Sequence, residues 1–276
     1  HLAANINPLG IGPAPKTHLL DPEAYDLTWE ELASIPASWV WKDAPYPLRD
    51  GREAIRKLLE VYTGTIAYDF NHVHEEQERI WLNQQAEVVI PAFRPSAEER
   101  VALLHKVIQA EQFEDFLHKN FVGQKRFSAE GVDVLSATVE EIVHELANDG
   151  ARHILMGMAH RGRLNVLAHV LGKSYGAIFS EFHHSPNRNL IPSEGSIGIN
   201  YGWTGDVKYH LGANRFIHTG ETAVTRLTLA NNPSHLEYVN PVVVGFTRAA
   251  LEDRSKPGYP VQRKDTAASI ILHGDA

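Results

Sequence analysis

His160, Arg161 and Arg163 crowd a single turn of the segment Gly157-Met-Ala-His-Arg-Gly-Arg-Leu-Asn-Val-Leu-Ala-His-Val-Leu-Gly172. An apolar run, Ile154-Leu155-Met156, precedes the turn and a helical pattern follows it. A strand that hands an imidazole and two guanidiniums to the start of a helix is suited to an anion. Helix amides and the helix dipole favour negative charge there, and open α/β sheets bind ligands at the carboxyl ends of their strands. The expected target is a carboxylate, a phosphate or both. By itself, His-Arg-Gly-Arg is better explained by a surface turn whose arginines stand in solvent.

Two further clusters favour the functional reading. Gly205-Asp-Val-Lys-Tyr-His-Leu-Gly212 sets Lys208 and His210 between glycines. Asn231-Asn-Pro-Ser-His-Leu-Glu237 sets Ser234 and His235 after the apolar alternation of Val224, Leu227 and Leu229. Each cluster falls at the edge of an expected strand, so the three read as one site assembled from distant sequence. A fourth segment, Ala268-Ser-Ile-Ile-Leu272, is strand-like and runs into His273-Gly-Asp-Ala276. Gly274 would let the backbone approach a ligand, and Asp275 offers a hard oxygen suited to Mg²⁺.

The elements that must position these residues follow from periodicity. A strand is expected at His153 to Met158, helices at Leu164 to Leu171 and around Tyr175 to Phe182, and strands at Ala223 to Ala230, Val242 to Thr247 and Ala268 to Leu272. Thr138 to Leu146 reads as a capped helix, and His183 to Tyr201 as a loop. Alternating strands and helices imply a mostly parallel sheet flanked by helices. Upstream, helices are expected at Arg52 to Tyr62, Glu75 to Glu87 and Glu98 to Phe121. Before them lies a proline-rich, irregular arm whose one helical turn is marked by the capping-box spacing of Thr28 and Glu31. Trp29, Trp39 and Trp41 are expected to dock that arm on a core. The organisation drawn from these patterns is an arm with a short helix over 1–75, a helical scaffold over 76–124, and the first part of an α/β domain over 125–276.

Composition sets the outer limits. The 276 residues carry 43% hydrophobic and 22% charged side chains, ordinary for a globular chain able to bury a substantial core. A formal charge of −8 argues against a general nucleic-acid surface, and no apolar run reaches membrane-span length. The absence of cysteine rules out disulfide and thiolate chemistry. No Gly-x-x-x-x-Gly-Lys-Ser/Thr pattern supports a phosphate-binding NTPase. The chain starts without Met and stops directly after a strand pattern, which leads to the expectation that it is a segment of a longer polypeptide.

Taken in order, the three clusters resemble the E1 component of 2-oxoglutarate dehydrogenase. The resemblance extends upstream to Lys125-Arg-Phe-Ser-Ala-Glu-Gly131 and downstream to His273-Gly-Asp-Ala276, and is weakest before about Trp81. It implies a thiamine-diphosphate-binding α/β fold, truncated at its C-terminal end, and oxidative decarboxylation of 2-oxoglutarate with transfer of the succinyl unit to a lipoyl group. The partners implied are a second copy in a homodimer, the lipoyl-bearing E2 succinyltransferase and the E3 of the complex, with no nucleic acid and no membrane. The setting implied is the tricarboxylic acid cycle, cytoplasmic in a bacterium and in the mitochondrial matrix of a eukaryote.

The resemblance also carries residue roles. His160 and His210 fall to the substrate pocket and catalysis, and Ser234 to both substrate and cofactor. Arg161, Leu236, Asp275 and Ala276 fall to thiamine diphosphate, and Asp275 to its Mg²⁺. The remaining metal ligands of the family lie beyond Ala276, so the segment alone is expected to be inactive. Lys208 and Arg163 are read as structural, pairing with Asp206 or Glu181. Trp203-Thr204, where the family has a small residue before the glycine, and the long 183–201 loop depart from the pattern. Alternatives are a 2-oxoadipate dehydrogenase E1, since one methylene is worth only about 1–3 kcal/mol of discrimination, and a non-catalytic E2-binding fragment.

Overall fold

The computed structural model describes residues 1–182, 206–220, 223–232 and 235–274, apart from positions 8 and 14. It divides into two compact units, His1–Ser96 and Ala97–Ala276.

In the first unit, most of the arm is turns and short helices. The Thr28 hydroxyl accepts from the Glu31 amide at 3.2 Å while the Glu31 carboxylate accepts from the Thr28 amide at 2.8 Å, closing the expected capping box over Trp29–Leu32. Of the three tryptophans, Trp41 is buried edge-on to Tyr46, and Trp29 lies under the Arg56 guanidinium. Trp39 is 80% exposed, which corrects the expectation that it docks the arm. Helix α1 (Gly51–Tyr62) begins one residue earlier than expected because Asp50 caps it through the Glu53 amide. Helix α2 (Glu76–Gln84) does not stop at Glu87; a π turn, Gln85–Val89, carries it into Ile90–Ala92.

The second unit holds helices α3 (Ala97–Asn120) and α4 (Leu135–Asn148), strand β1 (His153–Met158), then α5 (Arg163–His169) and α6 (Tyr175–Phe182). Strands β2 (Ala213–Thr219) and β3 (Ala223–Leu229), helix α7 (Val239–Ala250), the short pair β4 (Glu252–Asp253) and β5 (Val261–Gln262), and strand β6 (Ala267–Leu272) complete it. The main sheet has the order β2-β3-β1-β6. The central strand β1 is parallel to both neighbours, with Met156 opposite Leu229 on one side and Ile270 on the other. Strand β2 is antiparallel to β3 at one edge. This is the mostly parallel, helix-flanked sheet expected from the pattern.

Strand β1 is buried on both faces, as a central parallel strand should be. Ile154, Met156 and Met158 are at most 1% exposed and join the core built by Val139 and Val143 of α4 and Leu164 and Leu167 of α5. The opposite face meets α7 at Gly157. A Cβ there would lie 2.9 Å from a Val243 methyl and 3.3 Å from one of Val239. Substituting Gly157 by Ala is expected to lower stability by about 1–3 kcal/mol through overpacking. A urea midpoint equal to the parent's would show that helix and strand are not so tightly seated; V243A in the same chain should restore it.

Helix α7 corrects the strand expected at Val242 to Thr247. The β-branched run reads as a strand by residue type, yet the positions that are buried are Val239, Val243 and Thr247, four apart. Val242, Val244 and Phe246 are 47–53% exposed, so helical spacing, not alternation, matches what the sheet can cover. Helix α4 starts at Leu135, three residues before the expected Thr138, whose amide donates to the Val134 carbonyl inside the helix. Strand β2 has no counterpart among the expected elements. It is an edge strand with only Ile217 buried, and Phe216 beside it is 60% exposed, so it lacks a clean alternation. The loop expected over 183–201 lies outside the described residues.

Candidate active site

Arg163 organises the carboxyl end of the sheet. The residue before it, Gly162, takes φ +73° and could not carry a side chain easily: a Cβ would sit 3.0 Å from Leu135 and 3.4 Å from Ala129. This turn sends the Arg163 side chain inward, where it is fully buried. Its Nε and Nη2 donate to the Leu211 carbonyl at 3.0 and 2.8 Å, Nη1 to that of Met158 at 2.9 Å, and Nη2 also to that of Ala230 at 2.6 Å. A longer contact of 3.4 Å reaches the carbonyl of His210. One guanidinium thereby joins the end of β1, the end of β3 and the turn after the Lys208-His210 cluster. Burial pulls its pKa down to about 9, still above neutrality, and a ring of carbonyl acceptors favours the charged form. The structural reading of Arg163 stands, but its partners are backbone carbonyls, which correct the expected pairing with an acid.

The same staple brings the expected pocket histidines together. The rings of His160 and His210 have centroids 4.9 Å apart, and both residues are half-buried. The amide of Asn232 donates to the His210 carbonyl at 3.0 Å, and the Asn231 side chain accepts from the Gly212 amide at 2.6 Å, so the third cluster is tied to the second. Gly212 is obligatory here, since a Cβ would fall 2.3 Å from the Leu229 carbonyl oxygen. His160 Nδ1 and Asn232 Oδ1 are buried with no hydrogen-bond partner among the described residues. Orphaned buried polar atoms beside a buried cation fit an absent polar ligand. Lys208 is buried, donates to Gln124 Oε1 at 3.1 Å and lies 4.0 Å above the Phe182 ring, so it supports this turn from beneath.

The 125–131 segment closes the site from another side. Phe127 packs on His160 with centroids 5.1 Å apart and meets Tyr209 edge-on at 4.7 Å. Its φ of +46° is unusual for an aromatic residue, a strain of order 1–3 kcal/mol that only well-determined surroundings sustain. The Gly162 amide donates to the Phe127 carbonyl at 2.8 Å, and the exposed Arg161 guanidinium donates to the Glu130 carbonyl. Of the two arginines in the turn, then, Arg161 alone faces outward. The sequence motif flags this segment without giving Phe127 a place; nothing local foretells a left-handed phenylalanine.

Leu236 lines a small pocket with Ala159, Leu272, His273 and Gly274, at the carboxyl ends of β1 and β6 and the start of α7. Glu237, also with positive φ, faces the His273 ring at 3.1 Å. His235 is exposed and its ring contacts Tyr238 at 5.3 Å. Ser234, Asp275, Ala276 and Trp203-Thr204 lie outside the described residues. Among the described residues, no three His, Asp or Glu side chains gather as a metal site, and no helix is long and apolar enough to cross a membrane.

A mostly parallel sheet whose carboxyl end gathers two histidines, a buried arginine and an outward arginine is an α/β arrangement that offers hydrogen-bond donors and positive charge. Residues 130–276 match the model of the dehydrogenase E1 component, and the chain belongs to that family, which is generally dependent on thiamine diphosphate. Over all 276 residues it is 53% identical to the 2-oxoglutarate dehydrogenase E1 component of Bacillus subtilis. It is 51% identical to that of Geobacillus kaustophilus and 48% to that of Oceanobacillus iheyensis. The chain spans 29% of the length of each of these relatives.

Proposed function

We propose that this chain forms part of an E1 enzyme that oxidatively decarboxylates 2-oxoglutarate and passes the succinyl group to the lipoyl group of an E2 partner, within the tricarboxylic acid cycle of a bacterial cytoplasm. The observation that carries the reading is the His160–His210 pair, with the buried Nδ1 of His160 still lacking a partner among the described residues. The substrate's distal carboxylate must lose its water on entering a pocket, and two imidazole donors replace that water at about 1.5–3 kcal/mol for each charge-assisted bond. The charge of Arg163, shielded from solvent, adds a field of the right sign behind them. Phe127 covers the His160 imidazole with ring surface, and Tyr209 packs edge-on against Phe127.

Thiamine diphosphate, when bound, supplies the electron sink that cleavage beside a ketone requires. The residues that would hold it in this reading are Arg161, Ser234, Leu236, Asp275 and Ala276, with Asp275 contributing one oxygen to Mg²⁺. The outward guanidinium of Arg161 and the pocket beside Leu236 support the fit on the cofactor side. A homodimer and an E3 partner belong to the same reading. The test is release of CO2 from 2-oxoglutarate by the complete polypeptide with thiamine diphosphate and Mg²⁺, using an artificial electron acceptor. Turnover is expected with 2-oxoglutarate and much less with 2-oxovalerate; equal rates, or none with either acid, would reject it.

A further inference from the structure

We infer that Glu114, a buried carboxylate on α3 that belongs to none of the motifs, is a positioning residue that locks the 125–131 segment against His160 and Arg161. The inference rests on the reading of function above for its catalytic consequence only. Glu114 is 4% exposed. Its Oε1 accepts from the Ala129 amide at 3.1 Å and from Asn165 Nδ2 at 3.1 Å. Ala129 stands between Phe127, which packs on His160, and Glu130, whose carbonyl holds Arg161. Asn165 stands two residues after Arg163 on α5. One carboxylate oxygen therefore joins the loop that covers the site to the helix that carries its staple.

The other half of the clamp is equally well determined. Asn165 is 1% exposed and its amide is saturated. Nδ2 donates to Glu114 and to the Ala110 carbonyl at 3.0 Å, and both of these can only accept. Oδ1 is thus the acceptor, taking the Ser136 hydroxyl at 3.2 Å and His169 Nδ1 at 2.6 Å. His169 must carry its proton on Nδ1, leaving Nε2 to accept from the Tyr175 hydroxyl at 2.9 Å. Every bond direction in the chain from Tyr175 to Ala129 follows, and it presents Glu114 Oε1 to the loop in one orientation. A buried carboxylate is costly unless its bonds are made, so a group kept here must be holding something. What it holds is the segment in which Phe127 takes its left-handed conformation.

Hydrogen exchange of the whole polypeptide tests this without substrate or cofactor. E114A removes the acceptor and should speed exchange of amides in 125–131 by about tenfold or more, while amides of β1, His153–Met158, keep the parent rate. E114Q retains an acceptor oxygen and should restore the parent pattern. In turnover with 2-oxoglutarate, E114A should lower kcat/KM and E114Q should recover it. If E114A does not fold, E114D, which retracts the carboxylate by one methylene, carries the same expectation. Unchanged exchange in 125–131, or a rise shared equally by β1, would overturn the inference, as would failure of E114Q to rescue. A parent without decarboxylase activity would overturn the reading of function, while the exchange rates would still decide the role of Glu114.

Discussion

Replacing Arg163 by methionine is expected to cost roughly 3–5 kcal/mol, enough to unfold the second unit or to melt the sheet's carboxyl end. The side chains are similar in length, so packing is not the main loss. The loss is of donors: the carbonyls of Met158, Leu211 and Ala230 each face the guanidinium of a fully buried side chain at 2.6–3.0 Å. A buried acceptor left unsatisfied costs about 1–3 kcal/mol. Lysine keeps the charge but brings three donors without the planar fork, so R163K should fall between methionine and the parent. Guanidinium denaturation followed by far-ultraviolet dichroism measures the difference. An R163M midpoint within experimental scatter of the parent's would mean that those carbonyls find water, and that the three clusters are joined by something other than this residue.

The second large effect concerns selectivity. H160A and H210A, each made in the complete polypeptide, should lower kcat/KM for 2-oxoglutarate by about 10- to 100-fold, the equivalent of one charge-assisted bond of about 1.5–3 kcal/mol. The rate with 2-oxovalerate, whose tail carries no charge, should change far less. Because the rings lie 4.9 Å apart, the two losses should not add: removing one donor leaves the carboxylate to the other, and the double variant measures the coupling. Variants that lose activity equally with both acids would move these histidines from carboxylate recognition to some general support of the fold, such as the packing of His160 against Phe127.

Elements whose signal is local are legible in the chain. The bounds of β1 and α6 coincide with those expected from pattern, and so does the capping box of Thr28 and Glu31. Backbone preference and hydrophobic period act over a few residues, and the sequence carries both. The gathering of His160 and His210 is legible only in part: His160 lies just past the apolar run of β1, at a carboxyl strand end, whereas His210 precedes β2, whose antiparallel pairing sets Ala213 opposite Leu229 at the end of β3.

Tertiary structure alone decides which way the side chains face. Arg161 and Arg163 are two residues apart and chemically identical, yet one meets solvent and the other is fully buried, because the left-handed turn at Gly162 aims the second at the carbonyls of Met158, Leu211 and Ala230. Val242 to Thr247 has the composition of a strand and becomes a helix, since its Val239, Val243 and Thr247 face suits the groove that Gly157 leaves on β1. Glu114 carries no signature at all. A buried glutamate is recognisable only by the amide and the asparagine that reach it from 15 and 51 residues away, and no window of local sequence contains them.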